Sequence, residues 1–174
     1  VAGNNMVTSV TANSLKNIGN LMNANNSNDF EIDNNNSLNT ISFTGVETIE
    51  GRASIEENPV LVTITLGNGA IISDQLRVLN NDVVSGTINY KLGGVAQATN
   101  ITIDNDDSGA DYNVIDLSGI TIANNVTIAD LGGDVTIGSA STGTLTGNLI
   151  IQSSDKLETI VVGQLKVDGN FTVT

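Results

Sequence analysis

The chain has 174 residues, enough for one domain with a real core; 39% are hydrophobic and only 3% aromatic, so that core is aliphatic. A formal charge of -13, from 19 acids and 6 bases, argues against nucleic acid and anionic lipid as partners and favours divalent cations. Without Cys or His there is no disulfide frame, thiolate metal site or imidazole base, and no 18-residue apolar run is present to span a membrane. The mixture of 25 Asn, 19 Thr and 18 Gly with one Pro is turn-rich and β-friendly. A start at Val1 with no signal peptide is expected of a processed mature chain or an excised fragment.

In chain order, residues 1–28 are expected to form an N-terminal cap. Leu15, Ile18, Leu21 and Met22 fall at helical spacing within residues 11–24, with Asn13 or Ser14 as N-cap, which predicts an amphipathic helix covering the first rung. The Asn-rich stretch 25–36 contains Phe30 and Ile32, the first apolar places of a repeat occupying residues 29–174.

That repeat is clearest from "IEGRASI", residues 49–55, apolar at its first, fifth and seventh places. The same places fall on Ile72, Leu76 and Val78; Val95, Thr99 and Ile101; Ile122, Val126 and Ile128; Leu145, Leu149 and Ile151; and Val167, Phe171 and Val173. Successive units are 23, 23, 27, 23 and 22 residues apart, and Thr99 alone among these places is not apolar. A second strand-like phrase, Leu-x-x-Ile-x-apolar, occurs in "LNTISF", "LVTITL" and "LETIVV". Polar corners align between the two phrases at Asn35, Asn58, Asn81, Asp104 and Ser154, with Leu131 breaking the row. Short strands and polar corners at a fixed period above 20 predict an all-β fold: a single-domain parallel β-solenoid, or β-helix, of about six rungs. A β-sandwich built from the same strands is the alternative, but it has no reason to repeat one pattern every 23 residues. The Asn row is expected to be structural, its amides stacking from rung to rung. The C-terminal end, "GNFTVT", follows inward Phe171 and Val173 with no cap and is expected to be open.

The stretches "LNTISFTGVETIEGRASIEENPVL", "LVTITLGNGAIISDQLRVLNN" and "LTGNLIIQSSDKLETIVVGQLKVDGNFTV" resemble the repeat of receptor L domains and related leucine-rich, right-handed β-helix surface proteins. The resemblance implies a β-helical fold and extracellular display.

The chemistry-bearing stretch is "DNDDSGAD", residues 104–111, in the 27-residue unit. Asp104, Asp106 and Ser108 stand at the first, third and fifth places of a calcium loop with Gly109 sixth, but Ile115 replaces the twelfth-place Glu of the helix-loop-helix version. Asp104, Asp106, Asp107 and Asp111 are therefore the candidate ligands of a β-type calcium corner, with a solvated acidic loop as the alternative. Sequons begin at Asn25, Asn35, Asn100, Asn125 and Asn170, a weak signal in an Asn- and Thr-rich chain. No catalytic constellation is legible, so the protein is expected to be non-catalytic. The expected role is an extracellular structural or self-assembling unit of a microbial cell surface, layer or fibre, partnered by other copies of itself or adjoining domains. The alternative is an adhesin module for glycan or host protein.

Overall fold

The inward places alternate with Thr, Ser and Asn, the period-two pattern of half-buried strands. The computed structural model describes residues 1–19, 29–67, 69–83, 87–105, 111–117, 119–120, 124–130, 133–138, 143–152 and 157–174, with backbone alone at 111–113, 143 and 157. These residues contain strands, turns and bends and no helix.

The chain winds in successive turns. The first holds β1 (Ser9–Thr11) and β2 (Asn17–Ile18), followed by β3 (Phe30–Asp33), β4 (Thr40–Phe43) and β5 (Thr48–Ile49). Next come β6 (Ala53–Glu56), β7 (Thr63–Leu66) and β8 (Ala70–Ile72), then β9 (Gln75–Leu79), β10 (Thr87–Lys91) and β11 (Val95–Gln97). A turn with β12 (Asn100–Asp104) and β13 (Asp111–Asp116) precedes β14 (Asn125–Ala129), β15 (Gly133–Ile137) and β16 (Gly143–Leu145). The last elements are β17 (Asn148–Gln152), β18 (Leu157–Val162), β19 (Leu165–Val167) and β20 (Phe171–Val173).

Among the described residues the strand pairings are parallel and join equivalent strands of neighbouring turns. Wall one is β3-β6-β9-β12-β14-β17-β20 and wall two is β1-β4-β7-β10-β13-β15-β18, while wall three is shorter, β2-β5-β8-β11, with β16–β19 as a separate pair. The fold is thus a parallel β-solenoid, and five turns carry a described strand on all three walls.

The core consists of columns running along the solenoid axis. Phe30, Ala53, Leu76, Ile101, Val126, Leu149 and Phe171 form one on wall one. Ile41, Ile64, Tyr90, Ile115 and Ile137 form another on wall two, between Val10 at one end and Val162 at the other. Each buried Ile or Leu contributes about 1.5–3 kcal/mol, so stability grows turn by turn.

Two expectations need correction. Residues 11–19 do not begin a helix: they are strand, turn and strand, and β1 and β2 pair with β4 and β5. Ala12 N donates to Ser42 O at 2.9 Å and Glu47 N to Lys16 O at 2.7 Å, so the segment completes ladders. Thr, Ser and Asn are poor helix formers, and a helix this short is marginal without packing, so the ladder wins. Leu21 and Met22 lie outside the described residues.

The third unit is also shifted by two residues. Leu76 and Val78 pair with Ile101 and Ile103, not with Thr99 and Ile101. Thr99 sits at the corner, its N–H donating to Asp74 O at 2.7 Å. Wall one therefore advances by two 25-residue steps, Leu76 to Ile101 to Val126, rather than by 23 and 27. Each lengthened step keeps the inward side of the strand inward, because the extra residues are absorbed before the next strand begins.

Candidate functional site

Three places concentrate polar or exposed groups: the acidic insert, the asparagine corners and the open end.

The insert begins on wall one. Asp104 is the last residue of β12, half-buried, between Leu79 of β9 and Ala129 of β14. Asp111 opens β13, where its backbone pairs with Thr87. Asp106 and Asp107 lie outside the described residues, as do Ser108 and Gly109. Among the described residues no group of three or more acidic side chains is placed to hold a metal ion.

The corner between walls one and two holds a buried ladder. Asn35, Asn58, Asn81 and Asn105 are each fully buried. Asn58 Oδ1 accepts from Asn35 N at 3.2 Å and Asn35 Nδ2 at 3.0 Å. In the next step Asn81 Oδ1 accepts from Asn58 N and Nδ2, both at 3.0 Å. Asn105 Oδ1 then accepts from Asn81 N at 3.2 Å. The fourth member is thus Asn105 and not Asp104, because Asp104 still pairs with Leu79 as the last residue of β12 and the corner follows it. A carboxylate there would have no proton for the next rung and would suffer desolvation. At one end Asn4 N donates to Asn35 Oδ1 at 3.1 Å. At the other, Asn105 Nδ2 donates to the Tyr90 hydroxyl at 3.1 Å, which donates to Leu61 O at 3.3 Å. Ser154, aligned with this row by sequence, lies outside the described residues.

Three of these corners turn through a left-handed residue just before the Asn: Asn34 and Glu57 at φ 55° and Asn80 at φ 51°. Asn tolerates that conformation; Glu57 is strained there. Asp130, after β14, repeats it at φ 50°; Leu131, which breaks the Asn row in the sequence, lies outside the described residues.

A second row was not foreseen. Where wall one begins, Asn100 Oδ1 accepts from Asn125 N at 3.2 Å, Asn125 Oδ1 from Asn148 Nδ2 at 2.7 Å, and Asn148 Oδ1 from Asn170 N at 2.8 Å. Its signal is the recurring Asn before apolar-x-apolar, in "NITI", "NVTI", "NLII" and "NFTV". Three of the five sequons, at Asn100, Asn125 and Asn170, are members of this row, so strand alternation and corner bridging account for them. The sequon at Asn35 belongs to the buried ladder. Asn25 lies outside the described residues.

Beside the buried ladder, Asn34, Asn36, Glu57, Pro59, Asn80 and Asp82 line an open groove of about 380 Å³. Wall one carries ion pairs from Arg52 to Asp29 at 3.1 Å and to Glu31 at 3.2 Å, and from Arg77 to Glu56 at 3.4 Å. These partly exposed pairs fasten neighbouring rungs.

The open end is the plainest departure from the core pattern. Phe171 is 53% and Val173 54% exposed, although the residues beneath them in the same columns, Leu149 and Ile151, are 0% and 3%. Val162 of wall two is exposed in the same way above buried Ile137. β18, β19 and β20 are the last strands of their sheets.

No family model matches this chain, and comparison with curated proteins and with solved structures also gives no match.

Proposed function

We propose that the protein is a non-catalytic structural unit of a microbial cell surface, layer or fibre, displayed outside the cell, whose end rung is completed by another copy or by an adjoining domain. The observation that carries this reading is the exposure of Phe171 and Val173 above a buried column. Apolar strands left at a sheet edge are templates for a further strand, and proteins that stay single blunt such edges with charge, proline or a covering element. The resemblance to receptor L domains and leucine-rich β-helix surface proteins points to the same extracellular setting. Electron microscopy and sedimentation of the purified chain test it: assemblies that grow with concentration are expected, and a particle that stays monomeric under all conditions rejects completion by another copy.

A second reading is favoured by the groove along the Asn34–Glu57–Asn80 corner, where amides and carboxylates face solvent in register. Such an edge suits an adhesin that binds glycan, and a saturable glycan-array signal lost on Glu57→Ala would support it. Calcium belongs to either reading as the ion that Asp104, Asp106, Asp107 and Asp111 would take, on sequence spacing. An ion bound by the folded state alone raises stability, so a melting temperature unmoved by chelator removes calcium from both.

A further inference from the structure

Changes on every side of the solenoid coincide in the turn that holds β12 and β13. The amide rows exchange there: the buried ladder reaches Asn105, just after β12, and the edge row starts at Asn100, the first residue of β12. Leu131, aligned next in the buried row by sequence, has no side-chain donor or acceptor with which to continue it. Wall two keeps step from β1 through β4, β7 and β10, then slips on both sides of β13. Ile88 pairs with Tyr112 but Asn89 with Val114, and Tyr112 pairs with Val135 but Ile115 with Ile137. The four-strand sheet of wall three ends at β11, and β16 belongs to a separate pair with β19. Wall one runs through without a slip, β12 pairing over five residues with β9 and with β14.

The two sides of this turn are also held differently. Before β12 each buried Asn bonds to the next in a network closed to water, where such bonds strengthen one another, so those rungs hold or part together. Beyond it, Asn125 and Asn148 meet at a half-buried edge where water can replace the partner. A repeat array is stabilised by contacts between neighbouring turns, and a weak contact in mid-array divides it into separate cooperative units. We infer that the β12–β13 turn is a seam of this kind: the turns from β14 onward open and reclose as a unit while those from β3 through β11 stay folded, with wall one as the hinge. This goes beyond the structural-unit reading and does not depend on it.

Hydrogen exchange of the 174-residue chain tests the seam, read by mass spectrometry of peptic fragments in mild denaturant at a concentration where the chain is monomeric. Fragments carrying β14, β15 and β17 should exchange together at lower denaturant than fragments carrying β6, β7 and β9. Leu149→Ala, which empties a buried place beyond the seam, should speed the first group about 100-fold or more and leave the second unchanged. Tyr90→Phe, before the seam, should speed the second group roughly 30-fold and leave the first unchanged. Either variant speeding both groups alike would reveal one cooperative unit and overturn the seam, as would loss of protection throughout the chain in Leu149→Ala. Protection that falls evenly from rung to rung, with no step between β9 and β14, would overturn it too.

Discussion

Two asparagine rows climb the same solenoid at different corners, and their surroundings separate them. Asn35, Asn58, Asn81 and Asn105 are sealed from water, and each amide passes its bonds to the next rung. Asn100, Asn125, Asn148 and Asn170 make comparable bonds at the edge of wall one, half-buried or exposed. A buried polar group that loses its partner bears the full desolvation penalty, whereas an exposed one exchanges its partner for water. The first row therefore enforces spacing and register; the second trims an edge that solvent could satisfy.

Substitutions can break or sharpen that contrast. The largest effect is expected at Asn58, whose Nδ2 also reaches Glu56 O at 2.7 Å and Ile32 O at 3.2 Å. Asn58→Leu removes that hub and leaves several buried groups unpaired, for a loss of about 4 kcal/mol in denaturant unfolding. If its cost equals that of Asn125→Ala, burial is not what distinguishes the rows. Tyr90→Phe should come next, at about 2 kcal/mol, because it removes the buried hydroxyl that links Asn105 Nδ2 to Leu61 O without opening a cavity. Asn125→Ala should cost about 1 kcal/mol or less, water replacing its contacts to Asn148. The smallest effect has the opposite sign. Glu57→Asn places a residue suited to left-handed backbone between Asn34 and Asn80, and a gain of about 0.5 kcal/mol is expected in the same unfolding measurement.

Much of the wall architecture was legible because inward places must be apolar. The Leu-x-x-Ile-x-apolar phrase marks wall two at residues 38–43 and 61–66, and Ala53, Ile55, Leu76 and Val78 mark wall one. The slip at Thr99 shows where such reading loses its grip. Ile101 and Ile103 satisfy the apolar pattern two places later, and nothing in composition says which of two alternating positions the ladder adopts. The one polar residue in the aligned set was the trace of the error. At the head, Leu15 and Ile18 fit a helix and a strand-turn-strand equally well by spacing; the free edges of β4 and β5, set by tertiary structure, decided between them. Of the candidate sites, the Asn row was legible but its fourth member was not, since Asp104 and Asn105 are both plausible corner residues until the end of β12 is known.

The buried place of Asn35 also constrains when the protein can be handled by a glycosylating cell. Its side chain is sealed inside the fold, yet Asn35, Asn36 and Ser37 form an acceptor tripeptide that an enzyme acting on the emerging chain would read before any rung closes. A sugar added at that moment has no room at the corner and would stop the ladder at its first step. Secretion through such a pathway should therefore yield misfolded chain, and Ser37→Ala, which deletes the acceptor but leaves the amide, should restore it.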